Sequence, residues 1–300
     1  MARILVTGGA GFVGSTIVDA LLARGDEVLV VDDLATGDRA NLPPGAPLAV
    51  ADVADARALG RAVEGQRLDA VVHCASRTKV VESFAQPELY RRVIVDGTRN
   101  VIDAARATGA RSLVNLSTGG AIYGETPECA DEERPVDPPS PYGRYKAEAE
   151  ELVAASGLRA VTLRLANVYG PRQRADLEGG VVAIFLGCWR RGEPLTVYGD
   201  GSAERDYVQV DDVSAAVVAA LDQSATGVYN IGTGEATSVN ALIAALTEVL
   251  GPPAGVRNEP ARAGEIMRSC IDASKAAHDG LWRPRTSLAE GLRRTAMAAR

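Results

Sequence analysis

The stretch Thr7-Gly8-Gly9-Ala10-Gly11-Phe12-Val13-Gly14 lies between a short apolar run and an amphipathic helix pattern. The run Ile4-Leu5-Val6 is typical of a strand buried on both faces of a parallel sheet, and apolar residues recur at helical spacing from Ile17 to Leu22. In such a strand–turn–helix unit, glycines allow a tight turn, close approach of a pyrophosphate, and close packing of helix on strand; these are Gly8, Gly11 and Gly14. Free amides at the helix start attract phosphate. The stretch therefore predicts a dinucleotide-binding loop rather than an ordinary glycine turn.

Two acidic residues end the second predicted strand, which runs from Val28 to Val31. Asp32 and Asp33 come about twenty residues after the glycine loop, where a carboxylate accepts hydrogen bonds from the adenosine ribose. The same carboxylate would repel a 2′-phosphate, and no arginine follows before Arg39. The pattern predicts NAD as cofactor, with Asp32 as the ribose ligand and Asp33 as a solvated loop acid.

A further acid follows the third predicted strand, which we place within the run from Leu48 to Val53. Asp52 would lie at the end of this strand, in position to bond the adenine amine. A second interpretation fits nearly as well, in which Asp52 is the N-cap of a helix over residues 55 to 63.

The composition of the 300-residue chain narrows its partners. Its formal net charge is -7 and no block of like charges occurs, so a nucleic-acid footprint is not expected. No apolar run is long enough to cross a bilayer and no secretory leader precedes the first strand, so we expect a cytoplasmic protein that binds no membrane. The cysteines are scattered and lie near no histidine cluster: Cys74, Cys129, Cys188 and Cys270. We expect four reduced thiols, no disulfide and no metal site.

Side chains suited to proton transfer follow in the middle of the chain. Ser117 and Thr118 come after the predicted strand Ser112 to Leu116, at the end where ligands bind in open α/β sheets. Tyr142 and Lys146 lie four residues apart on a predicted helix and so share a face. An ammonium beside a tyrosine stabilises the phenolate and lowers the tyrosine pKa from its reference value near 10. The pair alone is common on surface helices, but here it follows a dinucleotide loop and a hydroxyl-bearing strand end.

His73 is a second candidate, because it ends the buried run Ala70 to His73 near the same edge. No carboxylate lies nearby in sequence to orient its ring, and His278 is the only other histidine. The sequence favours a structural or cofactor-lining role for His73 over a catalytic one.

These features resemble the extended short-chain dehydrogenase/reductases, and among them the NAD-dependent nucleotide-sugar epimerases of the UDP-glucose 4-epimerase type. The resemblance covers nearly the whole chain. It is carried by the following segments: TGGAGFVG at 7–14, STGGAIYGE at 117–125, Tyr142 with Lys146, LRLANVYGPRQ at 163–173, VVAIFLGCWRRGEPLTVYGDGSAERDYVQVDDV at 181–213, and YNIGTGEATSV at 229–239.

The resemblance implies the fold: a doubly wound parallel-sheet (Rossmann) α/β domain with a smaller mixed α/β C-terminal substrate lobe. We expect residues 1–167 and about 208–233 to form the NAD-binding domain, and about 168–207 and 234–300 the nucleotide-sugar lobe. It also implies a homodimer formed through helices around residues 89–108 and 144–156.

The resemblance further implies two sets of ligand contacts. Contacts to NAD are expected from Gly8, Gly11, Phe12, Val13, Gly14, Asp32, Asp52, Val53, Ala75, Ser117, Tyr142 and Lys146. Contacts to the UDP-sugar are expected from Thr118, Tyr142, Asn167, Val182, Tyr198, Arg205, Arg262 and Glu265. The guanidinium forks of Arg205 and Arg262 match diphosphate oxygens, although Arg205 also has Asp206 and Asp211 nearby as surface partners.

The implied reaction is reversible oxidation at the sugar C4, with tightly bound NAD that is not consumed. Tyr142 takes the hydroxyl proton, Lys146 supports the phenolate, and Thr118 or Ser117 hydrogen-bonds the same oxygen. Small residues at Ser269 or Cys270 imply a pocket that is roomy enough for N-acetyl sugars.

The sequence departs from the family pattern at Gly119, where many members have the catalytic serine, at Ile94 in place of an asparagine, and at Glu265 in place of an aspartate. Alternatives therefore stay open. One is a UDP-glucuronate epimerase. A 4,6-dehydratase is disfavoured, because Gly119 and Gly120 stand where an Asp-Glu pair is expected. A third alternative is an NAD-binding regulatory protein without catalysis.

Overall fold

The computed structural model describes residues 1–176, 180–261 and 266–298. The strands are β1 (Arg3–Thr7), β2 (Glu27–Asp32), β3 (Leu48–Val50), β4 (Ala70–His73), β5 (Ser112–Thr118), β6 (Arg159–Leu165), β7 (Asn167–Tyr169), β8 (Leu195–Tyr198), β9 (Glu204–Gln209), β10 (Gly227–Ile231), β11 (Ala236–Ser238), β12 (Val256–Glu259) and β13 (Arg268–Ser269). The helices are α1 (Phe12–Ala23), α2 (Ala56–Ala62), α3 (Val80–Ala85), α4 (Pro87–Arg91), α5 (Gly97–Thr108), α6 (Gly119–Ile122), α7 (Pro141–Ala154), α8 (Val181–Arg191), α9 (Val210–Asp222), α10 (Val239–Leu250), α11 (Ser274–His278) and α12 (Leu288–Ala298).

Within the described ranges, the main sheet has seven parallel strands in the order β10-β6-β5-β4-β1-β2-β3. The strand order reverses between β1 and β4, which is where open α/β sheets bind ligands. This is the expected Rossmann architecture. The register places Thr7 of β1 beside His73 of β4 at the carboxyl edge.

Helices cover both faces of this sheet. The side chains of β1 therefore alternate between two hydrophobic cores, one on each face. Ile4 and Val6 pack on one side with residues of α1 and α9, while Leu5 packs on the other side with residues of α2, α5 and α7. All three side chains are fully buried, and burial of such a side chain stabilises the fold by about 1.5–3 kcal/mol.

A second lobe stands beside the carboxyl edge of the sheet. It contains a small mixed sheet of β7, β9, β11 and β13, and a separate pair formed by β8 and β12. Its core joins Phe185 and Leu186 of α8 to Leu242 of α10 and Leu292 of α12. The chain returns from this lobe through α9 to β10, which pairs with β6 in the main sheet.

The helix predicted from Pro87 to Thr108 forms with one irregularity. It begins as α4 with Pro87 in the first turn, passes through a π-helical segment (Arg92–Asp96), and continues as α5. Gly109 ends it in the left-handed conformation, with φ of 80°. The helix is thus continuous, and the π segment lies where it packs against α7.

Two sequence-based expectations are wrong. Cys129 and Cys270 form a disulfide, whereas Cys74 and Cys188 are free thiols. The two partners are 141 residues apart, and they meet because the loop after α6 pairs with the segment around β13. No local spacing reveals that contact. The N-cap of α2 is Asp55, whose carboxylate accepts from the Arg57 and Ala58 amides, and not Asp52.

Among the described residues, no helix combines the length and the apolar character needed to span a membrane. The same residues contain no cluster of three or more His, Cys, Asp or Glu side chains placed to hold a metal ion.

Candidate active site

A cavity of about 1650 Å³ runs along the carboxyl edge of the main sheet and into the second lobe. Every predicted site residue that lies within the described ranges lines it: Gly8, Gly11, Phe12, Val13, Gly14, Asp32, Asp52, Val53, Ala75, Ser117, Thr118, Tyr142, Lys146, Asn167, Val182, Tyr198 and Arg205. Arg262 and Glu265 lie outside the described residues. Predicted site residues that are up to 197 positions apart in the chain thus share one cavity, since Gly8 and Arg205 both line it.

The glycine loop connects β1 to α1 at the start of this cavity. Gly8 has φ of +68°, and a Cβ there would lie 2.6 Å from the Ala75 nitrogen. A Cβ on Gly14 would overlap the carbonyl of Gly8, so helix and turn approach too closely for any side chain. The loop therefore has the shape that a pyrophosphate needs, with the amides at the start of α1 close to it.

Asp32 ends β2 beside this loop and is held by two backbone amides. Its carboxylate accepts hydrogen bonds from Ala10 at 2.9 Å and from Leu34 at 2.8 Å. Burial raises the pKa of Asp32, and these hydrogen bonds oppose the rise. Each carboxylate oxygen keeps a lone pair, so the group is fixed and can still accept from ribose hydroxyls.

Asp52 lies at the same end of the cavity, beyond β3. Its carboxylate accepts from the Ala54 amide at 2.9 Å and lies 3.5 Å from the Arg92 guanidinium. These contacts fix a turn beside Val53, which also lines the cavity.

The catalytic candidates converge where β5 meets α7. Thr118 caps α6 by accepting from the Ala121 amide at 3.2 Å, and its side chain acts on the pKa of the nearby Tyr142 phenol. Lys146 donates from its Nζ to the Leu116 carbonyl at 2.9 Å. The side chains of Tyr142 and Lys146 are buried.

The pKa of Tyr142 lies in the direction opposite to the one that the sequence predicts. Burial raises it to about 12, and the nearby Thr118 side chain opposes the rise. Burial also lowers the pKa of Lys146 to about 8. The spacing correctly places both residues in one cavity, but it carries no information on burial, which disfavours both charged forms.

Ser117 precedes Thr118 on β5 and is also buried. Its Oγ has no hydrogen-bond partner among the residues that the structure describes, although the residue lines the cavity. A buried hydroxyl without a partner is costly, so a ligand that bonds Ser117 would satisfy it.

His73 lies just behind these residues and is held by two threonines. Its Nδ1 is 2.7 Å from the Thr7 hydroxyl and its Nε2 is 3.0 Å from the Thr98 hydroxyl. Burial lowers the pKa of His73 to about 3, so the ring is neutral. These contacts fit the predicted structural role.

The comparisons with known proteins agree with this geometry. The model of the NAD dependent epimerase/dehydratase family matches residues 4–232. The chain is 38% identical to the UDP-glucose 4-epimerase of Mycolicibacterium smegmatis, over 98% of this chain and 97% of that protein. It is 43% identical to the UDP-glucose 4-epimerase of Thermus thermophilus, whose structure was solved in complex with NAD, with a TM-score of 0.94 and coverage of 99% and 98%. A Thermotoga maritima UDP-glucose 4-epimerase solved with UDP-glucose gives 38% identity, the same TM-score and the same coverage.

The chain belongs to the NAD-dependent epimerase/dehydratase family. It is an NAD-dependent epimerase of nucleotide sugars, with a Rossmann fold. The cradle at Gly8 and Gly14, together with the anchored carboxylate of Asp32, fits NAD at the first end of the cavity.

In this epimerase, the small sheet of the second lobe supplies the far wall of the cavity. Asn167 of β7 is the direct partner of Tyr207 in β9, and Ser269 of β13 is the direct partner of Arg205. Side chains alternate along a strand, so Arg205 and Tyr207 share one face of β9. Asn167 donates to the Asp206 carbonyl at 3.3 Å. Val182 is buried at the start of α8, and Tyr198 is 41% exposed at the end of β8.

Sequence reasoning missed two cavity residues of the epimerase, Tyr207 and Arg77, and it missed Tyr90, which is fully buried behind Tyr142. Tyr90 packs its ring edge-on to Tyr142, with ring centroids 6.5 Å apart. Tyr207 has a buried hydroxyl without a hydrogen-bond partner in the described part of the chain. Arg77 lines the cavity in the loop after β4. The only local signal for Arg77 was its position after a strand at the ligand-binding edge.

The expected roomy sugar pocket is only partly compatible with the structure. Cys270 is fully buried and bonded to Cys129, so it is not a free small side chain beside a ligand. Ser269 donates from its Oγ to the Gly120 carbonyl at 3.3 Å. Gly120 lines the cavity, whereas Ser269 is not among the described residues that line it, so the roomy sugar pocket stays a prediction.

Proposed function

We propose that this epimerase interconverts the C4 epimers of a UDP-sugar through a 4-keto sugar. The pairs considered are UDP-glucose with UDP-galactose, and UDP-GlcNAc with UDP-GalNAc. The observation that carries the proposal is that Tyr142, Thr118 and Lys146 line one cavity together with the glycine loop and Asp32. The side chains proposed to transfer a proton at a sugar hydroxyl and the predicted dinucleotide-binding loop therefore line the same cavity.

Tyr142 is proposed to take the C4 hydroxyl proton, while Thr118 hydrogen-bonds the same oxygen. When bound, NAD supplies a hydride acceptor and a positive charge near the phenol. That charge matters because burial alone holds the pKa of Tyr142 near 12. Lys146, which donates to the Leu116 carbonyl, is proposed to support the phenolate with its charge.

The second lobe is proposed to hold the nucleotide diphosphate while the 4-keto sugar rotates to present its other face between oxidation and reduction. Arg205 and Asn167 line the cavity from adjacent strands and offer donors to phosphate oxygens. Arg262 and Glu265 remain predicted ligands of the diphosphate and of the nucleotide ribose. The two lobes would correspond to residues 1–167 with about 208–233, and about 168–207 with 234–300.

A product assay tests this function. The purified protein is incubated separately with UDP-glucose and UDP-GlcNAc, and the sugars are separated after hydrolysis. We expect the C4 epimer in at least one reaction, without added NAD. If both sugars stay unchanged, and UDP-glucuronate does too, the proposal is wrong.

The Tyr142→Phe variant tests the mechanism. Loss of the phenolic oxygen removes the proposed base, so kcat should fall by about 10²- to 10⁴-fold. NAD binding should persist, because the glycine loop and Asp32 are unchanged. A variant that keeps full turnover would show that Tyr142 is not the base.

One alternative function is a 4,6-dehydratase. It would need acidic residues just after Thr118 to eliminate water, and Gly119 and Gly120 stand there instead. A Cβ on Gly119 would lie 2.7 Å from the Ile271 side chain, so even a small acid does not fit without movement. A regulatory protein without catalysis is disfavoured by the intact Tyr142, Thr118 and Lys146.

We also propose a homodimer. The face would be formed by α4, the π segment, α5 and α7, which pack side by side and are linked by the Arg91–Glu148 ion pair at 3.4 Å. A cytosolic location stays a prediction. The Cys129–Cys270 disulfide is the observation that counts against it, because disulfides are uncommon in that compartment.

A further inference from the structure

Arg77 stands out among the cavity residues because its charge has no assigned use. It lies in the loop after β4, half-buried, and lines the cavity. Its side chain makes no hydrogen bond or ion pair with any residue in the described ranges. Half-buried guanidinium groups usually have a carboxylate or carbonyl partner, so this one is available to an anionic ligand.

The nearest acid in this loop and in α3 is occupied by another group. Glu82 accepts a hydrogen bond from the Tyr90 hydroxyl at 2.8 Å. The guanidinium of Arg77 lies close enough to Tyr90 to oppose the rise that burial causes in the Tyr90 pKa. Tyr90 in turn packs edge-on to Tyr142. Arg77 is therefore on the side of the cavity that holds the proposed proton acceptor.

Charge is distributed unevenly along the cavity. Three of its acids, Asp32, Asp33 and Asp52, lie at or just after the ends of β2 and β3, at the end expected to hold adenosine. Toward Tyr142 the charged residues after β4 are Arg77, Lys79 and Glu82. Lys79 extends its Nζ to the Asp176 carbonyl at 2.8 Å, so it spans from this loop to the second lobe.

We propose that Arg77 forms a carboxylate subsite beside the reacting carbon, so that the enzyme accepts a UDP-hexuronate and prefers it to the neutral UDP-hexose. This inference rests on the proposed C4 epimerisation. In a hexuronate the carboxylate is attached to C5, the neighbour of C4. A sugar whose C4 hydroxyl faces Tyr142 therefore carries that carboxylate within a few ångströms of the reacting oxygen, and when C5 is turned toward the loop after β4 the carboxylate faces Arg77. A guanidinium binds a carboxylate through two parallel N–H···O bonds.

A diphosphate is the other anion that could use this guanidinium, either from NAD or from the nucleotide sugar. The two sources differ in what they predict. A carboxylate subsite affects only the hexuronate. A diphosphate contact affects NAD affinity, or affects every UDP-sugar equally.

The test compares kcat/KM for UDP-glucuronate and UDP-glucose in the NAD-loaded wild type, Arg77→Gln and Arg77→Lys. We expect the wild type to favour UDP-glucuronate at least about tenfold, and Arg77→Gln to lower its kcat/KM by about 10- to 100-fold, with UDP-glucose changed less than about threefold. Arg77→Lys should restore part of the preference, because it keeps the charge but not the fork. Arg67→Gln removes an exposed arginine outside this cavity and serves as the matched control.

Binding measurements separate this inference from the proposed reaction. Calorimetry on NAD-loaded Tyr142→Phe, with and without Arg77→Gln, gives the affinity for both sugars in the absence of turnover. Tighter binding of UDP-glucuronate that depends on Arg77 supports the subsite, even if no epimer forms in the wild type. The inference is overturned if the wild type shows no preference, if Arg77→Gln weakens both sugars equally, or if the substitution weakens NAD binding instead.

Discussion

Burial acts on Tyr142 and Lys146 against the charges that proton transfer requires. It raises the pKa of the phenol to about 12 and lowers the pKa of the ammonium to about 8. Near neutral pH the phenol of Tyr142 is therefore protonated. Lys146 still carries its proton there, but burial makes its charged form less favourable than in water. Further positive charge in the cavity would favour the phenolate of Tyr142, which fits the proposed role of Tyr142 beside a positively charged cofactor.

Lys146 gives a prediction for stability against pH. Its folded pKa of about 8 lies below the reference value of 10.5, so the folded state disfavours the charged form. The resulting cost is fully present below pH 8. It is relieved as the pH rises, because the folded lysine becomes neutral while the unfolded one still holds its proton. The Tm of the wild type should therefore rise relative to that of Lys146→Met between pH 7 and pH 10.

The prediction concerns the difference in Tm between the wild type and Lys146→Met. The effects of other groups that titrate in both proteins cancel in this difference. The measurement is thermal unfolding of each protein at half-unit pH steps, without ligand. A difference that stays flat, or that falls with pH, would show that Lys146 is not depressed by burial. The Arg67→Gln variant, which alters an exposed charge, should track the wild type across the range.

At the scale of elements, local sequence patterns predicted most of the main sheet. Gly8, Gly14 and Asp32 were predicted because strand, turn and helix signals are adjacent in the chain. Tyr142 and Lys146 were predicted because one helical turn separates them. In contrast, Tyr90 meets Tyr142, and Cys129 meets Cys270, only after distant elements pack. Arg77 could not be identified from the sequence for the same reason. Only the packed structure shows that the nearby Glu82 is hydrogen-bonded to Tyr90 and not to Arg77.

The start of α6 shows how two distant elements constrain one residue. Gly119 stands where the family resemblance leads us to expect a serine, and a Cβ there would lie 2.7 Å from Ile271 Cγ2. Ile271 is buried, and a Cβ on Gly232 would also approach its side chain closely, at 2.6 Å. Ile271 therefore has little room to move away. The glycine at 119 and the isoleucine at 271 form a matched pair.

Gly119→Ser should therefore destabilise the protein by about 1–3 kcal/mol, the usual cost of overpacking a core. Combining it with Ile271→Val should recover part of that loss, because valine lacks the Cδ1 methyl that would lie 2.9 Å from the new Cβ, although it keeps the Cγ2 methyl. The check is a double-mutant cycle by urea unfolding, with Gly119→Ser, Ile271→Val and the double variant. Strict additivity would mean that the two side chains do not collide. Gly120→Ser is the matched control, since a Cβ there meets no atom closer than 3.5 Å.

At the scale of the whole molecule, the two lobes are joined on the substrate side by the contact between residues 125–130 and 267–272. Backbone hydrogen bonds link Thr126 to Arg268 and Ala130 to Cys270, and Glu125 accepts from the Met267 and Arg268 amides. The disulfide is added to this contact. It therefore fixes a segment that also carries Ser269 and Ile271, which touch Gly120 and approach Gly119.

The disulfide closes a loop of 141 residues, so it restricts the unfolded chain strongly and stabilises the native state. Removing it by Cys129→Ser should lower the unfolding free energy by about 2–5 kcal/mol.

A reductant should lower the Tm of the wild type and leave that of Cys129→Ser unchanged. Cys188→Ser, which alters a partly exposed free thiol, is the control and should behave as the wild type does with and without reductant. Because hydrogen bonds already join the two segments, Cys129→Ser should affect kcat less than it affects the free energy of unfolding. A reductant effect that persists in Cys129→Ser, or a wild type whose four thiols all react with a thiol reagent after denaturation without reductant, would contradict the disulfide assignment.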